Sequence, residues 1–479
     1  MEINFLPLLP GAQVVLTALV VLVFDLFLKE EEKGLLVWMS VLGLVLAGGM
    51  AFFLWGGEEG AFRDTLRLNS FSLFFTQFFI ATALLAVLSS ADYLKETRIP
   101  AGEYYALVLF GTFGMILMAA ANDLILFFLG LETMSVAVYI LTGIRRENAQ
   151  SSEAAMKYFI IGSFATGFLL YGIALIFGAA GSTHLGRIST FLVGQSGQSS
   201  AIFTAGVFLL LIGLAFKVAA VPFHFWVPDV YEGAPTPVTG FMAAGVKAAA
   251  FAGWLRIFLH PLAPFTPGSA EVLWILAALT MTVGNLLAII QSSVKRMLAY
   301  SSIAHAGYLL IGVVAGGEVG GAAVLFYLWT YGAMTLGAFG VVIALKKGAE
   351  DHDSYKDFAG LGWKRPFLAM AMSLFMLSLA GFPALGGFTG KFYLFRSAVV
   401  SGHTDLAVIG ALNSVLSVIY YLRVIVMMYM EEGGVEGKRF ADAPLLYAAV
   451  AIAALATVYL GLLPATMLDL SRVSFLSLR

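Results

Sequence analysis

Apolar residues in this chain come in blocks of about twenty, with charged residues or Gly/Pro clusters between them. A bilayer core about 30 Å thick takes roughly 20 apolar residues per helix, so blocks of this length predict membrane-spanning helices. Fourteen spans are predicted. They lie near 8–28, 35–55, 70–90, 104–121, 123–144, 155–180, 201–228, 236–259, 270–290, 297–316, 320–346, 366–398, 404–430 and 444–463. The division at Asn122-Asp123 rests on the shortest polar gap. An even count puts both termini on one side of the membrane.

Basic residues decide which side. Loops after odd-numbered spans hold sixteen lysines and arginines, including Lys29, Lys95, Arg145, Arg146, Lys346, Lys347, Lys438 and Arg439. The opposite side, termini included, holds six: Arg63, Arg67, Arg187, Arg396, Arg472 and Arg479. The positive-inside rule then places both termini outside the cytoplasm. The amino terminus reads MEINFLPLLPG without a basic n-region, so a first membrane helix is expected there rather than a cleaved signal.

Composition agrees with the pattern. Of 479 residues, 60% are hydrophobic and 12% charged, about half the charge of a soluble globular protein. A mean hydropathy of +0.92 rules out a soluble enzyme. Net charge is −2, so nothing points to nucleic acid. Zero cysteines exclude disulfides, thiol catalysis and cysteine-ligated iron–sulfur clusters within this chain.

Two spans carry helix breakers. In span 201–228, Pro222 removes a backbone donor and clashes with the preceding turn, predicting a break just after Lys217. In span 366–398, the stretch SLAGFPALGGFTGKFYLF sets Pro383 among Gly381, Gly386, Gly387 and Gly390, ahead of Lys391. Taking spans 4–8 and 9–13 as two units of five puts a broken span fourth in each. Because five is odd, the second unit is inverted relative to the first. Inverted repeats with broken helices at matching positions are a pattern of ion-coupled transporters; the alternative is that glycine and proline only permit packing bends. The expected fold is therefore all-α, with about 14 transmembrane helices in four parts. Residues 1–100 supply three helices, 101–262 the first repeat, 263–432 the inverted second repeat, and 433–479 the last helix and a tail.

Four ionisable residues stand near span centres: Glu132, Lys217, Lys247 and Lys391. A charge there costs ~2.5–3.5 kcal/mol even on the lenient insertion scale, so each should face the protein interior. Burial favours the neutral form of either residue type, and an opposite charge favours the ionised form. A Glu132–Lys217 contact would hold Lys217 protonated, and breaking it would favour release toward Lys247 and Lys391. A static ion pair that only fixes packing is the alternative. His224, after Pro222, and His305, in LAYSSIAHAGYL, are candidate proton relays or simply packed hydrogen-bonding residues. Arg256 and Arg423 lie toward span ends, where they could snorkel. No His/Asp/Glu spacing suggests a metal site, and no P-loop or GxGxxG appears in a strand-to-helix setting.

Several segments together resemble one family. They are ANDLILFFLGLETMSV, EAAMKYFIIGSF, PFHFWVPDVYEGAPTPVTGF from Pro222, KRMLAYSSIAHAGYLLIG and GFPALGGFTGKFYLF. This set resembles the antiporter-like membrane subunits of complex I, the proton-translocating NADH:quinone oxidoreductase. Three features set it apart from two larger paralogues of that family. Lysine stands at 247 where those usually carry histidine, lysine stands at 391 where one has glutamate, and only sixteen residues follow span 14.

The resemblance implies a membrane proton path. Glu132 would pair with Lys217, Lys247 would be the central relay and Lys391 the outlet lysine, while Lys157 matches a further family lysine. It also implies that FMN and iron–sulfur clusters belong to partner subunits and that quinone is the substrate of the complex. Partners would be the other membrane subunits, the peripheral redox arm and the lipid of a bacterial inner membrane. A multisubunit sodium/proton antiporter with the same fold, or a membrane scaffold without a proton path, are the other readings.

Overall fold

A computed structural model describes residues 4–194, 200–262, 266–345, 353–433 and 443–478. Lys346, Lys347, Lys438, Arg439 and Arg479, which enter the orientation count, lie outside the described residues. Helices dominate. In chain order they are α1 (Leu9–Asp25), α2 (Gly34–Phe53), α3 (Ser70–Thr97), α4 (Ala101–Ala120), α5 (Leu124–Thr142) and α6 (Ala149–Ala180). Next come α7 (Leu185–Gly194), α8 (Ala201–Val218), α9 (Trp226–Gly233), α10 (Thr236–Phe241) and α11 (Lys247–Phe258). The second half holds α12 (Thr266–Ile289), α13 (Val294–Ala315), α14 (Gly317–Ala344), α15 (Leu361–Lys364), α16 (Pro366–Ala380), α17 (Gly386–Val400) and α18 (Thr404–Met430). Helices α19 (Pro444–Leu462) and α20 (Ala465–Leu476) close the chain.

Among the described residues, 13 helices are long and apolar enough to cross a membrane. Helices α16 and α17, 15 residues each, are the two halves of one further crossing. Fourteen crossings result, as the hydrophobic blocks predict. Alternate connections meet on common faces. On one face Arg146 pairs with Glu103, Lys33 with Asp25, and Val294 N–H donates to Asp353. On the other, Asn122 reaches Asp64, Asp123 bridges His184, and Asn69 binds the carbonyl of Ser477 near the carboxyl end.

The repeat is visible in how corresponding helices meet. Each unit opens with a tightly packed pair, α4 with α5 and α12 with α13. A Cβ on Gly114 of α4 would stand 2.7 Å from the Gly130 carbonyl of α5, so only glycine permits that approach. Each unit's fourth span then breaks. Helix α8 ends at Ala219 in a left-handed conformation (φ 61°), and the chain passes through Pro222 before α9. Helix α16 ends at left-handed Gly381 (φ 95°), and Pro383 precedes α17. At the second break, a Cβ on Gly387 would sit 1.8 Å from the Ser378 carbonyl, which shows how closely the second half crosses the end of the first.

Three features lie beyond the sequence expectation. A two-stranded antiparallel hairpin, Glu59–Ala61 with Leu66–Leu68, fills the connection between spans 2 and 3. Short amphipathic α7 occupies the stretch after span 6, its Leu185, Ile188 and Leu192 buried. A π-helical turn, Met242–Val246, joins α10 to α11 immediately before Lys247. Such turns are rare and concentrate at functional sites. Arg423 reaches a surface carbonyl as a snorkelling residue would, but Arg256 does not: it is buried with its guanidinium over the Phe71 ring.

Candidate proton-path site

Lys217 lies in the last turn of α8, one residue before the break. Its ammonium donates to Ser135 Oγ at 2.8 Å and Tyr139 OH at 3.4 Å, both on α5. Glu132, Ser135 and Tyr139 are spaced i, i+3, i+7, so α5 presents them on one face. The family resemblance implies a Glu132–Lys217 pair. In the structure they form no direct ion pair, and Ser135 takes the ammonium instead. Glu132 Oε1 is buried with no hydrogen-bond partner. The break loop is folded back on this site: Trp226 stacks on Tyr158 at 4.5 Å and donates to the Phe216 carbonyl. Across the repeats, Val221 N–H donates to Thr280 of α12.

Lys247 is 3% exposed and hydrogen-bonds both the hydroxyl and the carbonyl of Ser302 on α13. Its ammonium also lies 5.3 Å from the Tyr331 ring of α14. Lys391 sits in the second half of its broken span. Its ammonium donates to the carbonyls of Leu379 and Ala380 and to Ser414 Oγ, at 2.8, 3.2 and 2.9 Å. Those carbonyls end α16, where unpaired acceptors and the helix dipole both favour a cation. The Tyr308 ring lies 4.8 Å from the same nitrogen. No carboxylate reaches ion-pair distance of any of these three lysines among the described residues.

The remaining candidates divide. His305 joins the buried row, its two ring nitrogens facing Tyr327 OH and Tyr421 OH. His224 is buried in the break loop against Phe225, and its Nδ1 has no hydrogen-bond partner. Lys157 stands apart, in a charged cluster at the membrane face with Glu153 and Asp229. Arg296 of α13 joins that cluster through Asp229 at 3.1 Å and through Glu232. Partial burial works against the Asp229 charge, yet hydrogen bonds from Lys157 and Arg296 hold its carboxyl below the usual value of 3.8. Sequence reasoning missed Ser135, Tyr139, Ser302 and Ser414, which hold the lysines. Serine and tyrosine are ordinary helix residues, and nothing local marks which face which lysine.

Residues 121–417 match the family described as NADH:quinone oxidoreductase/Mrp antiporter, transmembrane. The chain belongs to this family. Full-length relatives agree. A protein of Trichlorobacter lovleyi named NADH-quinone oxidoreductase subunit N is 46% identical over 470 residues, covering 98% of this chain and 96% of the relative. One of the same name from Chloroflexus aggregans is 45% identical over 467 residues, covering 97% and 95%. Among solved structures, a chain of respiratory complex I from Thermus thermophilus with bound aureothin superposes with a TM-score of 0.81 at 36% identity, covering 96% of this chain and 98% of that one. A chain of the Mrp complex from Dietzia superposes with a TM-score of 0.84 at 21% identity, a likeness of fold alone, covering 98% and 97%. Lys217 and Lys391 flank the two breaks, and both are buried.

Proposed function

We propose that this chain is the N-type antiporter-like subunit of a proton-translocating NADH:quinone oxidoreductase, complex I, in a bacterial inner membrane. NADH-to-quinone electron transfer takes place in partner subunits, which hold FMN and iron–sulfur clusters; this cysteine-free chain contributes the proton path. The division 1–100, 101–262, 263–432 and 433–479 separates accessory helices from the two path-bearing repeats. Both termini lie outside the cytoplasm, so a terminal reporter active only in the cytoplasm stays silent; a signal from either end overturns this orientation.

One observation carries the reading. Lys217, Lys247 and Lys391 are each buried and hydrogen-bonded to neutral groups. An ammonium without a carboxylate partner can give up its proton in a low-dielectric interior. Glu132 acts on Lys217 through space, so its field biases when that proton leaves. His305 lies on the path, whereas Lys157 belongs to the face where protons enter.

Lys247 gives the sharpest test. Arginine keeps the charge but cannot release a proton under working conditions. Lys247→Arg should therefore impair proton uptake into vesicles nearly as badly as Lys247→Ala, at matched complex content and with electron transfer followed in parallel. Near-normal pumping by Lys247→Arg would make the residue a fixed charge in a scaffold. Sodium transport by an assembly without flavin or iron–sulfur polypeptides would instead favour the antiporter.

A further inference from the structure

At the membrane face where the chain ends, the start of α14, the end of α17 and helix α20 enclose a cleft of about 490 Å³. Its charged residues divide into a pair and two singles. Arg472 of α20 donates to Glu318 of α14. Arg396 of α17 and Asp469 of α20 make no hydrogen bond or ion pair among the described residues, and they do not reach each other. Tyr393 stands one turn before Arg396 on the same wall, and its hydroxyl also lacks a hydrogen-bond partner among those residues. Leu468 and Val319 supply apolar lining. Val319 is itself exposed, as are Phe392, Leu470 and Val473, the chain neighbours of Tyr393, Asp469 and Arg472.

This combination selects a ligand with two unlike charges on an apolar body. A guanidinium fork matches the oxygens of a phosphate, and an ammonium offers three N–H donors to a carboxylate. Phosphoethanolamine joins those two groups through a short carbon link. Apolar side chains exposed beside a charged rim suit acyl chains, and tyrosine is enriched at such an interface. We propose that this cleft binds a zwitterionic phospholipid of the phosphatidylethanolamine class, its phosphate on Arg396 and Tyr393 and its ammonium on Asp469.

The charges argue against other headgroups. Glu318 and Arg472 neutralise each other, so the two singles sum to zero. An anionic phosphoglycerol headgroup satisfies Arg396 but sets a negative phosphate beside an uncompensated Asp469, and like charges brought together are costly. A choline headgroup carries the right charges but has no N–H to donate to the carboxylate. Free phosphate satisfies Arg396 alone and leaves the apolar wall uncovered. The place of the cleft gives the lipid a consequence. Arg396 follows Lys391 by five residues on α17. A phospholipid seated here braces the second half of the broken span against α14 and α20 from the bilayer side, outside the row of buried lysines.

The test is photolabelling of the intact complex in phosphatidylcholine vesicles, using a phosphatidylethanolamine with a diazirine near the start of one acyl chain. Peptide mapping should place the label on α17 or α20 of this chain. Unlabelled phosphatidylethanolamine should compete with it, and phosphatidylglycerol should compete less. Arg396→Gln should cut the labelling about threefold, the scale of one partly exposed charge pair. Asp469→Asn should do the same and also erase the preference for phosphatidylethanolamine over phosphatidylglycerol. Both residues are exposed, so both variants should assemble. A merely structural role for Asp469 leaves that preference intact in Asp469→Asn and overturns the inference. Label confined to other parts of the complex overturns it too, as does a cross-link showing another subunit seated in the cleft. Equal competition by glycerophosphoethanolamine, which has the headgroup without the chains, would assign the cleft to a soluble headgroup and overturn the lipid. Labelling is read without electron transfer, so its failure and the failure of the proton-transport reading are separate results.

Discussion

The two broken spans hold their lysines by opposite means. At the first break the lysine precedes the interruption, and its ammonium is held by side-chain hydroxyls of a neighbouring helix, Ser135 and Tyr139, with Glu132 one turn further on. At the second the lysine follows the interruption and turns back onto it, where backbone carbonyls of Leu379 and Ala380 take two of its three hydrogen bonds. The first site can be adjusted by moving a side chain or neutralising a carboxylate. The second is fixed by the end of a helix and changes only if α16 and α17 move relative to each other. A break in a membrane helix thus supplies two different resources: a place to bury a lysine within reach of a neighbouring helix, and a set of freed carbonyls to solvate it.

The largest effect should come from deleting the lysines themselves. Lys217→Met and Lys391→Met keep the length and apolar stem of the side chain and remove the titrating group. Each should lower proton uptake by a hundredfold or so, the lower part of the range for loss of a proton-transfer group. Their effects on stability should differ. Lys217→Met leaves Ser135 and Tyr139 free to hydrogen-bond their own helix, as Ser135 already does with Leu131, so the complex should keep its stability. Lys391→Met leaves the buried carbonyl of Leu379 without its lysine donor, a loss of ~1–3 kcal/mol, while Ala380 keeps its hydrogen bond from Ser414. Denaturation of the complex should therefore be easier for Lys391→Met than for Lys217→Met. Equal stability of the two would mean that the Leu379 carbonyl does not depend on the lysine.

Much of this contrast could be read from the chain. Pro222, Pro383 and the glycines around 381–390 announce the breaks, because they remove donors or permit left-handed backbone. A lysine in a twenty-residue apolar block announces itself by cost. What could not be read is how each ammonium is satisfied. Glu132 and Lys217 look like a pair because they are the charged residues of spans 5 and 7, yet helix packing brings Ser135 to the ammonium instead. The π-helical turn before Lys247 was hidden for a similar reason. Its residues, Met-Ala-Ala-Gly-Val, are unremarkable in a helix, and the neighbours the turn packs against, α3 and α14, come from elsewhere in the chain. The hairpin and α7 lie in short connections whose order comes from the helix ends they cover.

A smaller effect tests the electrostatic half of the comparison. Glu132→Gln keeps the volume of the side chain and removes its charge; Ser135→Ala keeps the charge and removes the hydroxyl that accepts from Lys217. If the first break is tuned by the carboxylate field, Glu132→Gln should reduce pumping several-fold while the complex assembles. Ser135→Ala removes one hydrogen bond to an ammonium, worth about 1.5–3 kcal/mol, and should do so too. Neither change should alter the second break. Wild-type pumping by an assembled Glu132→Gln complex would leave the hydroxyls as the whole of the first site and reduce Glu132 to a bystander.

The smallest effect lies where the repeats meet at the membrane face. Asp229, on the helix after the first break, joins Lys157 of the first repeat to Arg296 of the second. Among the described residues the second break has no such carboxylate among its hydrogen-bond partners, so there this tie belongs to the first. The Asp229 carboxyl is held below its usual 3.8 in the folded protein. Its contribution is therefore present above the unfolded value and is lost as pH falls through the folded one. The groups are partly exposed, so the tie is worth only about 0.2–1 kcal/mol and weakens with salt. Hydrogen exchange of the α9 amides, compared between wild type and Asp229→Asn at each pH, isolates it because intrinsic exchange chemistry cancels. Faster exchange in the variant is expected at every pH from neutrality down to about 5, with the two curves converging once the pH drops below the carboxylate range. A difference that persisted below that range would show that asparagine disturbs packing rather than charge, and the ionic link between the repeats would have to be given up.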